Sequence, residues 1–159
     1  MRSIAFIIVH CTATAEGQPF NIDDVSRWHL ARGWKTVGYH YLVLLDGTIQ
    51  RGRPEEMVGA HCKNRNQHSI GVCYVGGLSA EGRPKDTRTP AQKAALRSLL
   101  TDLKHRYPNA LIASHHLFDP LKACPCFDAT EEYAPEARGA KAYLALRALT
   151  PLLSQRFGR

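Results

Sequence analysis

The stretch Ser3–Val9, SIAFIIV, followed at once by His10, decides how the rest of the chain is read. It is apolar, rich in β-branched residues and too short for an ordinary helix, which suits a buried strand. Ala110–Ser114, ALIAS, is a second short run of the same kind and is followed by His115. Each run therefore delivers a histidine to the carboxyl end of a strand, where open α/β sheets gather their ligands. Cys124 lies nine residues beyond His115 in a loop punctuated by Pro120 and Pro125, which restrict the backbone and present the thiol back towards that histidine.

His10, His115 and Cys124 are all zinc-binding residue types, and three protein ligands with an open fourth position make a catalytic rather than a structural site. The first expectation is a zinc hydrolase. A single histidine or cysteine at a strand end is commonly structural, so the argument rests on the three together. His116 and Cys126 offer second choices, and His115, His116, Cys124 and Cys126 as one closed local site is the structural alternative.

Around these runs the chain alternates helices and strands without repeats or low-complexity tracts. Asn21, with Asp24 three residues on, caps a helix running to about Arg32 before Gly33. Gly38–Leu45 reads as a strand, Asp46-Gly47 as a hairpin turn and Thr48–Arg51 as the partner strand. A further strand spans Ser69–Val75, closed by Gly76-Gly77. Thr89-Pro90-Ala91-Gln92 combines an N-cap, a first-turn proline and a capping-box glutamine, and opens a helix whose stripe is Leu96, Leu99, Leu100 and Leu103. That helix ends near Tyr107-Pro108. Ala140–Leu153 has helical composition and carries no evident chemistry.

The 159 residues are about one domain long, and 44% hydrophobic residues fit a globular protein with one core. The expected fold is α/β: a single domain over 1–159 with a mixed central sheet flanked by helices. The brief apolar run before His10 is too short for a secretory signal, and no stretch approaches a membrane span, so synthesis in the cytoplasm and no membrane partner are expected. Five cysteines without framework spacing favour free thiols or metal ligation over disulfides. The net charge of +7 points to an acidic partner, nucleic acid or an anionic wall polymer. Arg51, Arg53, Lys63, Arg65, Arg83, Lys85 and Arg88 read as solvated charges; they lack the aromatic interleaving of a nucleic-acid surface, which argues against nucleic acid.

Five ordered segments carry a family resemblance: IIVHCTAT, RWHLARGWKTVGYHYLVLLDGTIQRGR, NQHSIGVCYVGG, TPAQKAALRSLL and SHHLFDPLKACPCFD. Over residues 4 to 128 the chain resembles zinc-dependent N-acetylmuramoyl-L-alanine amidases of the phage-lysozyme type, relatives of the peptidoglycan recognition proteins. Residues 129–159 form an extension outside the match. The resemblance implies an α/β fold, one zinc ion, peptidoglycan as substrate, and cleavage of the amide between the lactyl group of N-acetylmuramic acid and L-alanine, most naturally by a phage or prophage endolysin that reaches the wall after release or delivery. It implies His10, His115 and Cys124 as zinc ligands, Tyr39 as an active-site hydroxyl and Lys122 as a cation beside the ligand cysteine. His61 and His68 fall in a loop that borders the substrate groove in the family, and His61 is taken as a substrate contact. The interval from His115 to Lys122 is one residue longer than the family's pattern. A related phage amidase binds its phage's RNA polymerase, so such a partner is suggested by resemblance alone. A binding module without catalysis and a zinc-stabilised protein that binds nucleic acid or polymerase are the competing classes; the intact ligand set and Lys122 oppose the first, and the second leaves His10 unexplained.

Overall fold

The computed structural model describes residues 1–133, so all but the first five residues of the proposed 129–159 extension, including the helical reading of Ala140–Leu153, lie outside the described residues. Seven strands and three helices follow in the order β1 (Phe6–Cys11), β2 (Thr14–Ala15), α1 (Ile22–Ala31), β3 (Tyr41–Val43), β4 (Ile49–Arg51), β5 (Ser69–Tyr74), β6 (Gly77–Leu78), α2 (Pro90–Arg106), β7 (Leu111–Ser114) and α3 (Ala129–Glu132).

The sheet is mixed, as expected. Its order is β4-β3-β5-β1-β7, with β3, β5, β1 and β7 parallel and only β4 antiparallel. β1 sits between two partners, which is why its sequence is apolar on both faces. Alternation along the strands divides the interior into two layers. Ile7, Val9, Val43, Ile70, Val72 and Tyr74 point towards α2 and meet Leu96, Leu99, Leu100 and Leu103. Leu42, Cys73 and Val75 point the other way and pack with Val25 and Trp28 of α1. His10 lies between Val9 and Cys11 of the α2 layer and so projects on the opposite side, paired in register with Cys73.

Both long helices start where local chemistry directs. Asn21 accepts from the N–H groups of Asp23 and Asp24 while the Asp24 carboxylate accepts from the Asn21 N–H, and Thr89 and Gln92 exchange the same pair of bonds ahead of Pro90. The expected strand Gly38–Leu45 shrinks to Tyr41–Val43. At its start His40 is the reason: its N–H donates to the Gly71 carbonyl at 2.9 Å, but its ring Nδ1 accepts the Gly71 N–H at 2.9 Å, so a side chain takes a donor that a ladder carbonyl would otherwise receive. Strand β1 starts later than Ser3, and His10 lies inside it rather than beyond its end.

Two of the cations read as solvated are structural. Arg88 is buried, pairs with Asp86 and Glu132 at 2.9 and 2.8 Å, and lies 3.3 Å from the centroid of the Phe127 ring. Arg53 donates to the Val37 and Val58 carbonyls at 2.7 and 2.6 Å. Among the described residues no helix is long and apolar enough to cross a membrane.

Candidate metal centre

His10 from β1, His115 from the turn that follows β7, and Cys124 from the next loop converge with their ligand atoms within 4.8 Å of one another. The parallel pairing of β1 with β7 explains the convergence, since Val9 stands opposite Ser114 and each strand then presents its histidine one residue later. The rings of His10 and His115 are 4.5 Å apart between centroids. Cys124 Sγ lies 3.8 Å from His10 Nδ1. A tetrahedral ion with metal–N near 2.0 Å and metal–S near 2.3 Å holds such a pair roughly 3.6 Å apart, so these donors already stand at a ligating separation.

The surroundings suit a cation. Burial holds His10 well below the usual histidine range, with His61 and His115 nearby adding to the effect, and burial likewise lowers His115. Neutral imidazoles are the ligating form. The Cys11 N–H donates to Cys124 Sγ at 3.2 Å, which holds the sulfur in place. The loop itself is pinned: the buried Tyr74 hydroxyl donates to the Pro125 carbonyl at 2.6 Å, and the His116 N–H donates to the Cys124 carbonyl at 2.9 Å. The donor set of two imidazoles and one thiol fits zinc, with room for a fourth ligand.

The second-choice donors face elsewhere. Cys126, at a φ of 69°, turns its Sγ to within 3.8 Å of Cys11 Sγ, and His116 Nδ1 lies 3.2 Å from the Cys124 carbonyl. The closed four-ligand site is therefore not assembled. Tyr39 is half-buried with its ring 5.2 Å from that of His10. Desolvation, then the neighbouring Cys73 thiol, pushes its phenol well above the ordinary tyrosine range, so it remains a protonated hydroxyl. Lys122 is exposed in the loop between His115 and Cys124, close enough to lower the His115 pKa. Beside His115 opens a pocket lined by Lys63, Asn64, Arg65, Phe118, Asp119 and Pro120.

His61, expected as a substrate contact, is buried, with Nδ1 at 2.8 Å from His10 Nε2 and Nε2 at 3.2 Å from Ser69 Oγ. His68 is exposed, with Nδ1 3.1 Å from the Ser3 carbonyl. The sequence marked His61 as a chemical residue but gave no sign of Ser69 as its partner; the alternation of β5, which turns Ser69 and Gly71 to the His10 face, is the signal that was available.

A mixed α/β sheet carries, at the carboxyl edge of its central strands, a His/His/Cys cluster that could hold a metal ion, an arrangement suited to a hydrolase. The family profile described as N-acetylmuramoyl-L-alanine amidase matches residues 1–127, and the chain belongs to that family. It is 47% identical over 122 residues to the endolysin of Klebsiella phage KP32 and 46% identical over 122 residues to that of Escherichia phage T7, covering 77% of this chain and 80% of each relative. Among solved structures, the endolysin N-acetylmuramoyl-L-alanine amidase LysCS from Clostridium intestinale URNW superposes with a TM-score of 0.71 at 28% identity, covering 84% of both chains. The protein is thus a peptidoglycan hydrolase that cleaves the amide between the lactyl group of N-acetylmuramic acid and the L-alanine of the stem peptide.

Proposed function

We propose that the protein is a zinc-dependent endolysin whose metal is held by His10 Nδ1, His115 and Cys124 Sγ. The observation that carries this reading is the convergence of these three donors from separate elements. Bound there, zinc supplies Lewis-acid polarisation of a carbonyl and lowers the pKa of a water from 15.7 to about 7. The protein's own groups do the rest. Tyr39 keeps its proton, and its hydroxyl orients the attacking water and donates a hydrogen bond towards the reacting carbon's substituents rather than acting as a base. Lys122 Nζ, on the exposed loop between His115 and Cys124, places a cation where the carbonyl oxygen gains negative charge. The pocket beside His115 takes the neighbouring part of the substrate, and the exposed Lys63 and part-exposed Arg65 suit an acidic stem peptide. The endolysin relatives support action on the cell wall after release or delivery.

Mass analysis of purified peptidoglycan after digestion tests the reading. Released stem peptides with intact glycan chains, lost after chelation and regained with added zinc, are expected; activity unchanged by complete metal removal would overturn the zinc assignment.

A further inference from the structure

His61 stands directly behind His10, and its place there is built rather than incidental. The Asn66 Oδ1 accepts both the His61 N–H and the Cys62 N–H at 2.9 Å, fixing the loop that carries the ring. The ring lies against Gly71 of β5, where an added Cβ would stand 2.6 Å from His61 Cγ, and against Gly59, where it would stand 2.6 Å from Cδ2. Two glycines thus clear the space that the imidazole fills. From that position it meets His10 Nε2 at 2.8 Å on one side and Ser69 Oγ at 3.2 Å on the other.

A neutral imidazole carries one proton, so the two rings must agree on the direction of their shared bond. If His61 Nδ1 carried the proton, His10 Nε2 would accept it, and the proton of His10 would sit on Nδ1, facing Cys124. No lone pair would then be presented to a metal. In the opposite sense His10 donates from Nε2, its Nδ1 lone pair faces Cys124 and His115, and His61 carries its proton on Nε2 with Ser69 Oγ in reach as acceptor. Both senses give the buried rings partners, because the Ser69 hydroxyl can donate or accept, but only the second leaves a ligand nitrogen bare. Partners that fix a ligand imidazole in this way are commonly carboxylates or carbonyls, and here a second histidine fills the role.

We propose that His61 is a positioning residue for the metal centre: by accepting the Nε2 proton of His10 and passing its own towards Ser69, it holds His10 in the metal-binding tautomer. The inference rests on the metal-centre reading above, and it places His61 outside the ligand set and outside the substrate groove.

The test is zinc affinity, measured by competition with a chromophoric chelator on the full chain, for the parent, His61→Leu and His61→Asn. The Asn side chain sets an amide oxygen near the position of His61 Nδ1. His61→Leu is expected to weaken zinc binding about 10- to 100-fold, and His61→Asn to recover most of that loss. Metal-free melting temperatures of the two variants should match. Ring-nitrogen NMR of the zinc-loaded parent should show His61 bare at Nδ1 and protonated at Nε2, a readout that needs no variant to fold. His61 protonated at Nδ1 in the loaded protein, or His61→Leu binding zinc as tightly as the parent, overturns the proposal. A parent that binds no zinc overturns the metal-centre reading itself, which separates the two failures.

Discussion

At the carboxyl end of β1 and β7 two imidazoles and a cysteine turn towards one another, whereas near the opposite end of the sheet Glu55 is enclosed by donors that satisfy it. Tyr41, Tyr107 and Arg106 all bond the Glu55 carboxylate, and Arg2 donates to the Glu55 carbonyl at 2.8 and 2.9 Å. The contrast separates two uses of buried polarity. Around Glu55 the carboxylate takes its partners from within the fold, so the cluster adds to the folded state. Around His10 the ligand atoms of His10, His115 and Cys124 lie within 4.8 Å of one another, a spacing that a shared cation suits. Removing a group from the first cluster should cost stability and spare chemistry; removing one from the second should do the reverse.

The largest effect belongs to the ligands. His10→Ala and Cys124→Ser are each expected to lose zinc and amidase activity together, read by elemental analysis and turbidity clearing on the same samples. Full zinc occupancy in His10→Ala would erase the distinction between the two ends of the sheet, because a local site around His115 would then suffice. Next come Tyr39→Phe and Lys122→Ala, which should keep zinc and fold while turnover drops on the order of 100- to 1000-fold, the usual cost of one preorganised donor. Turnover at the parent rate by both metal-loaded variants would confine the chemistry to the three ligands.

The comparison also shows what a sequence discloses. The ligand end was legible because its signals are local: an apolar run closed by His10, another closed by His115, and a cysteine among prolines. The capping boxes at Asn21 and Thr89 were legible for the same reason, since three residues contain the whole device. The role of His61 was not, because it depends on a bond to a residue 51 positions away. Glu55 and Arg88 escaped likewise: Glu55 is satisfied by side chains from β3 and from the end of α2, and Arg88 by α3 and the Phe127 ring. The pairing of β2 with β6 rests on two residues each, too few for any periodicity, and on Gly76 and Gly77 at positive φ.

A smaller effect is expected at Cys126. Alternate residues of an extended segment share a direction, yet Cys126 turns away from Cys124 and lies against Cys11, in a left-handed conformation. Cys126→Ser should therefore retain zinc and most of the activity, measured beside Cys124→Ser. Loss of zinc in Cys126→Ser with retention in Cys124→Ser would move the ligand and make the longer His115–Lys122 interval a change in site geometry.

The smallest effect on catalysis, and the clearest on folding, is expected at Glu55. Although burial raises its pKa, hydrogen bonds from Tyr107, Tyr41 and Arg106 outweigh this and hold the carboxyl below the usual range. A depressed carboxylate pKa stabilises the fold above the unfolded value, about 4.3, and that contribution fades as pH falls through the folded value. Glu55→Gln keeps the shape but loses the charge that Arg106 pairs with, and should cost on the order of 1–3 kcal/mol at pH 7. For a chain of this size that is a fall in melting temperature of several degrees. The gap between parent and variant should narrow below about pH 4 as the parent's carboxylate takes up its proton, while zinc content and turnover per folded molecule at pH 7 stay at the parent level. A gap independent of pH would mean that packing rather than charge holds this end of the sheet. Lost zinc in Glu55→Gln would mean that the two clusters are coupled through β3 and β5, with His40 and Gly71 as the connection between them.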